Sequence, residues 1–234
     1  MQTVSYQQSQ TQVRVNAFVR SVYNWMAIGL ALTGWMAYSI AGSPNILRFV
    51  FGNQLVFFGL IIGELAMVFY LSARINRIQS STATALFLFY AALNGVTLSA
   101  IFIAFTYSSI ASTFIICAAT FLACSLYGWM TQRDLTSMGG FLTMGLIGII
   151  IASVVNIFFK SPAMSAIISY IGVIVFVGLT AYDTQKLKDM ALSQPADLEA
   201  GVIRKGAILG ALSLYLDFIN LFLMLLRIFG TSRE

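Results

Sequence analysis

Apolar residues in this chain come in blocks, separated by short polar breaks. A helix needs about 20 apolar residues to cross a bilayer, and runs of that length fall at 22–41, 54–73, 83–106, 109–130, 138–159, 163–183 and 206–228. The breaks carry turn chemistry: Gly42-Ser43-Pro44, Arg74–Ser81, Tyr107-Ser108, Arg133-Asp134 and Lys160-Ser161-Pro162. Only residues 106–109 part the third run from the fourth, so a very tight turn is expected there, without which the count drops to six. Residues 184–205 are charged, contain Pro195, and are expected to form a loop. Residues 1–21 are rich in Gln, Ser and Thr and carry Arg14 and Arg20 with no acid, which predicts a frayed polar tail rather than a transit peptide. The expected organisation is a cytoplasmic tail over 1–21, a seven-span domain over 22–230, and a short external tail over 231–234.

Composition gives these runs their solvent. Hydrophobic residues make up 59% of the 234 and charged ones 9%, against about 25% charged in soluble proteins, and mean hydropathy is +0.87. The net charge of +5 would raise nucleic acid as a partner in a soluble chain; here the basic residues sit between apolar runs, so the partner is the lipid bilayer. Nine Lys and Arg fall on one side of the expected membrane (Arg14, Arg20, Arg74, Arg77, Arg133, Lys186, Lys188, Arg204, Lys205) and four on the other (Arg48, Lys160, Arg227, Arg233). The positive-inside rule then puts the amino terminus in the cytoplasm and, with seven spans, the carboxyl terminus outside. There is no His, which removes the commonest general base and metal ligand. Cys117 and Cys124 lie seven residues apart in one run, about 10 Å of helix rise, beyond disulfide reach. The expected fold is an all-α membrane protein, a seven-transmembrane helix bundle, with Gly59/Gly63 and Gly206/Gly210 as internal close-packing positions.

Charged groups inside spans cost about 2.5–3.5 kcal/mol each, so they are the informative residues. Glu64, Asp183, Asp217 and Arg227 qualify, with Asn94, Asn156 and Asn220 as milder cases. Ser213, Asp217, Asn220, Met224 and Arg227 recur at helical spacing on one face of the last span. A polar stripe ending in Arg cannot face lipid, which places that seventh helix inside the bundle. Ser213 and Asn220 read as interhelical hydrogen-bond glue; a lone carboxylate at Asp217 reads as functional, while Asp183 is explained equally by a solvated helix end. Glu64 and Arg227 share the outer half of the membrane, and they read as a structural ion pair or as an outer gate.

The segments from Gly178 to Lys188 (Gly-Leu-Thr-Ala-Tyr-Asp-Thr-Gln-Lys-Leu-Lys) and from Gly210 to Arg227, with Tyr-x-Asp-x-x-Asn and an Arg ten residues after the Asp, resemble the closing helices of the Bax inhibitor-1 family. Asn94-Gly-Val-Thr-Leu-Ser99 is similar to that family's third-span motif. The likeness is greatest to the bacterial inner-membrane branch. It implies a bundle with the seventh helix central, a pH-sensitive latch made by Asp183 and Asp217, and a latch arginine best matched by Arg74, with Arg77 a second candidate. It also implies calcium leak across membranes, suppression of cell death in eukaryotic members, and in one bacterial branch modulation of a membrane-bound protease.

The residues supply a mechanism for such a latch. Two carboxylates in a low-dielectric bundle cannot both ionise easily and titrate as a unit. A shared proton ties the last two helices together, and its loss drives them apart. Ca²⁺ takes 6–8 oxygens and the pair supplies at most four, so only weak, transient Ca²⁺ binding is expected, with no resident cofactor. Three other readings remain open: a non-conducting regulator of a membrane protease or stress response, an H⁺/Ca²⁺ exchanger, and an intramembrane aspartyl protease. The last lacks the Gly-x-Gly pattern before its second Asp, so a non-enzymatic protein is expected.

Overall fold

The computed structural model describes residues 2–195 and 198–233, with side chains from residue 11 onward. The described residues are helical, with one isolated bridge between Phe105 and Ser232 and no strand. The helices are α1 (Gln2–Ala41), α2 (Pro44–Gly52), α3 (Gln54–Arg74), α4 (Ser80–Leu98), α5 (Ile101–Ala104), α6 (Tyr107–Met130), α7 (Thr136–Phe159), α8 (Pro162–Ser193) and α9 (Ala200–Phe229). Six spans are long and apolar enough to cross a membrane, α4 and α5 counting as one, and α1 with α2 makes a seventh when that pair is counted as one broken span. The chain is an all-α integral membrane protein.

Pro44 at the first position of α2 follows Gly42-Ser43, and α1 and α2 meet there at 100°; a proline suits a helix start and cannot continue the helix before it. The expected tight turn also forms. Thr106 caps α6 by accepting from the Ser109 N–H at 3.4 Å. Lys160 ends α7 in the left-handed region at φ 49°.

Three expectations are corrected. The stretch 184–205 is not a loop: α8 runs on through Ser193 and α9 starts at Ala200, because charged residues outside hydrocarbon continue a helix at no desolvation cost. Residues 2–21 are not frayed but the first half of α1. Gly59 and Gly63 are not internal packing positions, since a Cβ added at either meets nothing within 4 Å.

The chain divides into two compact units, Met1–Ala104 with Met190–Leu212, and Phe105–Asp189 with Ser213–Glu234. In the first unit α4 packs on α1 and α3. A Cβ on Gly95 would lie 2.6 Å from the Thr33 carbonyl oxygen and from Met36 Cβ, and the Thr33 hydroxyl donates to the Ala91 carbonyl at 2.8 Å. In the second unit α6 touches α8 where Gly128 meets the backbone of Ala181, and α7 touches α8 where Gly139 meets the Tyr182 ring. The apolar stretch of α9 is 72% buried against 11–39% for the other single-span helices, as the polar stripe required.

Candidate functional site: an aspartate pair in the second unit

Asp183 sits in a stretch of α8 that is fixed on both sides. Ala181 and Tyr182 press on Gly128 and Gly139. The Thr184 hydroxyl donates to Ser125 Oγ at 3.3 Å. Gln185 closes the turn between α6 and α7, accepting from the Leu135 N–H and donating to the Arg133 carbonyl, both at 2.8 Å. Lys188 Nζ donates to the Trp129 carbonyl at 2.8 Å. A backbone held at so many neighbouring positions cannot drift, so the direction in which Asp183 leaves its helix is set by packing. Asp183 itself is half-buried.

Asp217 is 5% exposed, between a fully buried Tyr215 and Phe218. Phe218 is clamped edge-on by Phe114 and Phe121, each with ring centroids 5.4 Å away, and its carbonyl accepts from Cys117 Sγ at 3.7 Å. Asp217 Oδ2 is buried with no hydrogen-bond partner among the described residues. A buried polar atom left unpaired costs about 1–3 kcal/mol. The Asp183 carboxylate lies close enough for its charge to act on Asp217, and Lys186, one turn further along α8, acts on Asp183. The two sequence-predicted acids therefore share one electrostatic site.

The supporting residues have contacts of their own. Asn220 donates within its own helix, to the Leu216 carbonyl at 2.8 Å, and is not interhelical glue in that contact. Ser213 is half-buried. Asn156 bridges the α7–α8 turn, accepting from the Ser161 N–H at 3.0 Å and donating to Ser165 Oγ at 2.7 Å. Arg227, in the last turn of α9, lines a cavity with Asn156 and Ser165. A cation there also complements the helix dipole.

In the first unit Glu64 is 9% exposed and accepts from the Thr97 hydroxyl at 2.5 Å. Tyr90 lies within reach of the Glu64 charge, and Asn94 Nδ2 donates to the Tyr90 hydroxyl at 3.4 Å. Arg74 is the last residue of α3 and Arg77 lies in the turn after it; both are exposed. They belong to the first unit and the aspartates to the second. Both cysteines are free.

Residues 15–234 match the family described as inhibitor of apoptosis-promoting Bax1. This chain belongs to the Bax inhibitor-1 family. Inner membrane protein YbhL of Escherichia coli K12 is 52% identical to it over 224 residues, covering 96% of this chain and 95% of that protein. An uncharacterized protein of Borreliella burgdorferi is 46% identical over 228 residues, 97% of each chain. An uncharacterized protein of Deinococcus radiodurans is 42% identical over the full 234 residues, 98% of its own length.

Within this Bax inhibitor-1 family member, Thr97, Tyr90 and Gln185 carry site geometry that sequence reasoning passes over. Thr97 lies three residues after Asn94 in the third-span motif, on the same helical face, which is the signal the sequence offers. Gln185 stands two residues from Asp183, and only the turn it closes reveals its role.

Proposed function

We propose that this protein is a pH-sensitive calcium leak pathway gated by the Asp183–Asp217 pair. One observation carries the reading: a buried aspartate with an unpaired oxygen lies within electrostatic reach of a second aspartate on the next helix. Sharing one proton, the pair ties α8 to α9. Losing it, the two like charges repel and the two helices part. Such a proton-driven choice between two packings is the bistable element that a gate requires.

Among the described residues no group of three or more His, Cys, Asp or Glu converges. The pair alone offers Ca²⁺ at most four oxygens out of the 6–8 it takes. Weak coordination suits conduction, since an ion must leave as readily as it enters. The protein acts without a catalytic step, in a bacterial inner membrane, with its amino terminus in the cytoplasm and its carboxyl terminus outside.

The test is calcium efflux from vesicles containing only the purified full-length chain. pH-dependent efflux that Asp217→Asn renders pH-independent is the expected result. An unchanged pH profile in that variant overturns the gate. No efflux at any pH, with a membrane protease co-purifying, replaces the channel with a regulator. Proton counterflow in step with calcium replaces it with an exchanger.

A further inference from the structure

Where α7 stops, α8 starts and α9 stops, the second unit carries a cavity of about 720 Å³. That volume lies in the range of small-molecule sites, roughly 300–1,000 Å³. The aspartate pair has no part in its lining, so the cavity is a separate site from the proposed gate.

The lining is chemically divided. One part is polar: the Arg227 guanidinium, the Asn156 amide and the hydroxyls of Ser153, Ser165 and Ser169. Among the described residues the lining has no acidic side chain. Asn156 uses its amide to fix Ser165, which accepts from it at 2.7 Å and so keeps its own hydroxyl proton to donate. Pro162, also in the wall, is the first residue of α8. The other part is apolar, formed by Phe105, Ile157, Ala166 and Ile168.

The surroundings add two observations of their own. Lys160 caps the C-terminal end of α7, and Arg233 covers the Tyr107 ring at 4.4 Å. Tyr107, Phe158, Phe159 and Phe229 expose their rings at the same helix ends, where membrane proteins meet the headgroup layer with aromatic side chains. A guanidinium beside the Ser165 hydroxyl, with no acid among the described wall residues and with the Ser169 hydroxyl already donating to the Ser165 carbonyl at 2.9 Å, selects an anion that accepts hydrogen bonds. A cation is repelled and an uncharged sugar leaves the guanidinium unsatisfied.

We propose that this cavity is a phosphate site whose occupant is the headgroup of an anionic phospholipid, its phosphodiester on Arg227 and Ser165 and its glycerol against Phe105 and Ile157. A soluble phosphate shares the recognition chemistry but leaves the apolar wall uncovered.

The experiment measures thermal unfolding of the purified full-length chain in mixed micelles of detergent with phosphatidylglycerol or with phosphatidylcholine, and in detergent with inorganic phosphate. Phosphatidylglycerol is expected to raise the midpoint saturably, and phosphatidylcholine to raise it less. Arg227→Gln is expected to weaken the phosphatidylglycerol response at least about tenfold, as the loss of a charge-assisted pair does. Arg48→Gln, outside the lining and in the first unit, leaves it in place. Ser165→Ala keeps every charge and the helix pattern, and weakens the response by about three- to fivefold, the scale of one hydrogen bond; it serves where Arg227→Gln fails to fold. Equal responses to the two lipids, or an undiminished response in both Arg227→Gln and Ser165→Ala, overturn the site. An Arg227-dependent rise with inorganic phosphate matching that with phosphatidylglycerol keeps the phosphate site and overturns the lipid as its occupant.

Discussion

Each unit buries a carboxylate inside a membrane-spanning helix, and the two are treated in opposite ways. Glu64 in the first unit receives a hydroxyl donor from Thr97 at 2.5 Å, with Tyr90 and Asn94 beside it. Asp217 in the second unit has an oxygen with no donor among the described residues and lies within reach of the charge of a second acid. Donors from neutral groups stabilise an acid in one arrangement and leave nothing to switch. An acid facing an acid has two arrangements, with and without the shared proton, whose balance depends on the outside pH. On the proposed gate, the partner that a buried acid meets, rather than its depth, decides whether it holds a fold together or responds.

The widest separation between the two regions is expected in transport. Asp217→Asn keeps the shape of the side chain and supplies a permanent donor to Asp183, so calcium efflux loses its dependence on pH. Glu64→Gln keeps the Thr97 contact, and its pH profile stays where it is. Efflux from vesicles, followed as the outside pH is varied, reads both. Matching profiles for the two variants would erase the distinction.

Packing comes next. A methyl on Gly128 would run into the Ala181 carbonyl, two residues before Asp183, whereas one on Gly59 meets open space. Gly128→Ala should destabilise by up to about 3 kcal/mol, since overpacked backbone contacts relax poorly, and should blunt the pH response as well. Gly59→Ala should be neutral or stabilising by roughly 0.5–1 kcal/mol, because alanine loses less backbone freedom in a helix. Thermal unfolding in detergent separates the pair.

Range explains why some of this is legible in the sequence and some is not. A membrane span is a local compositional property, so the apolar runs and the Gly42-Ser43-Pro44 break can be read directly. Asp183 and Asp217 stand out because charge in hydrocarbon is costly wherever it sits. The extension of α8 past Asp183 is hidden by its charges, although Thr180, Thr184, Leu187 and Ala191 are all buried and keep helical spacing. That stripe is present in the sequence, but Lys186, Lys188 and Asp189 between its members give the segment the look of a loop. The Thr97 contact to Glu64 joins residues 33 apart, and no local pattern states such a pairing. For the same reason depth alone points Glu64 to a charged partner, while the donor it meets is a hydroxyl on the neighbouring helix.

Thr97→Val tests that hydroxyl with little change in shape. Glu64 keeps its burial and loses the donor, so the first unit should weaken by about 1–2 kcal/mol, the scale for a buried acceptor left unpaired. The Asp183–Asp217 response to pH should be untouched. If Thr97→Val shifts that pH profile as strongly as it shifts unfolding, the first unit is part of the switch and the contrast between the regions collapses.

The smallest effect tests an acid that faces water. Asp134 lies outside the spans in the α6–α7 turn and accepts from the Thr136 N–H at 2.8 Å. Hydrogen bonds from the Thr136 side chain and backbone hold its carboxyl below the ordinary aspartate value. A folded-state value below the unfolded one means that the ionised form is the bonded form. Its contribution is therefore present above the ordinary aspartate range and is lost as pH falls through the depressed folded value. Asp134→Ala should accordingly lower the unfolding midpoint slightly at neutral pH, and the gap to the parent chain should close in strong acid. Because both chains carry the same Asp183–Asp217 pair, the titration of that pair cancels in the difference. A gap that persists unchanged in acid would mean that Asp134 acts through turn geometry alone, and that its charge, unlike that of the buried acids, is incidental.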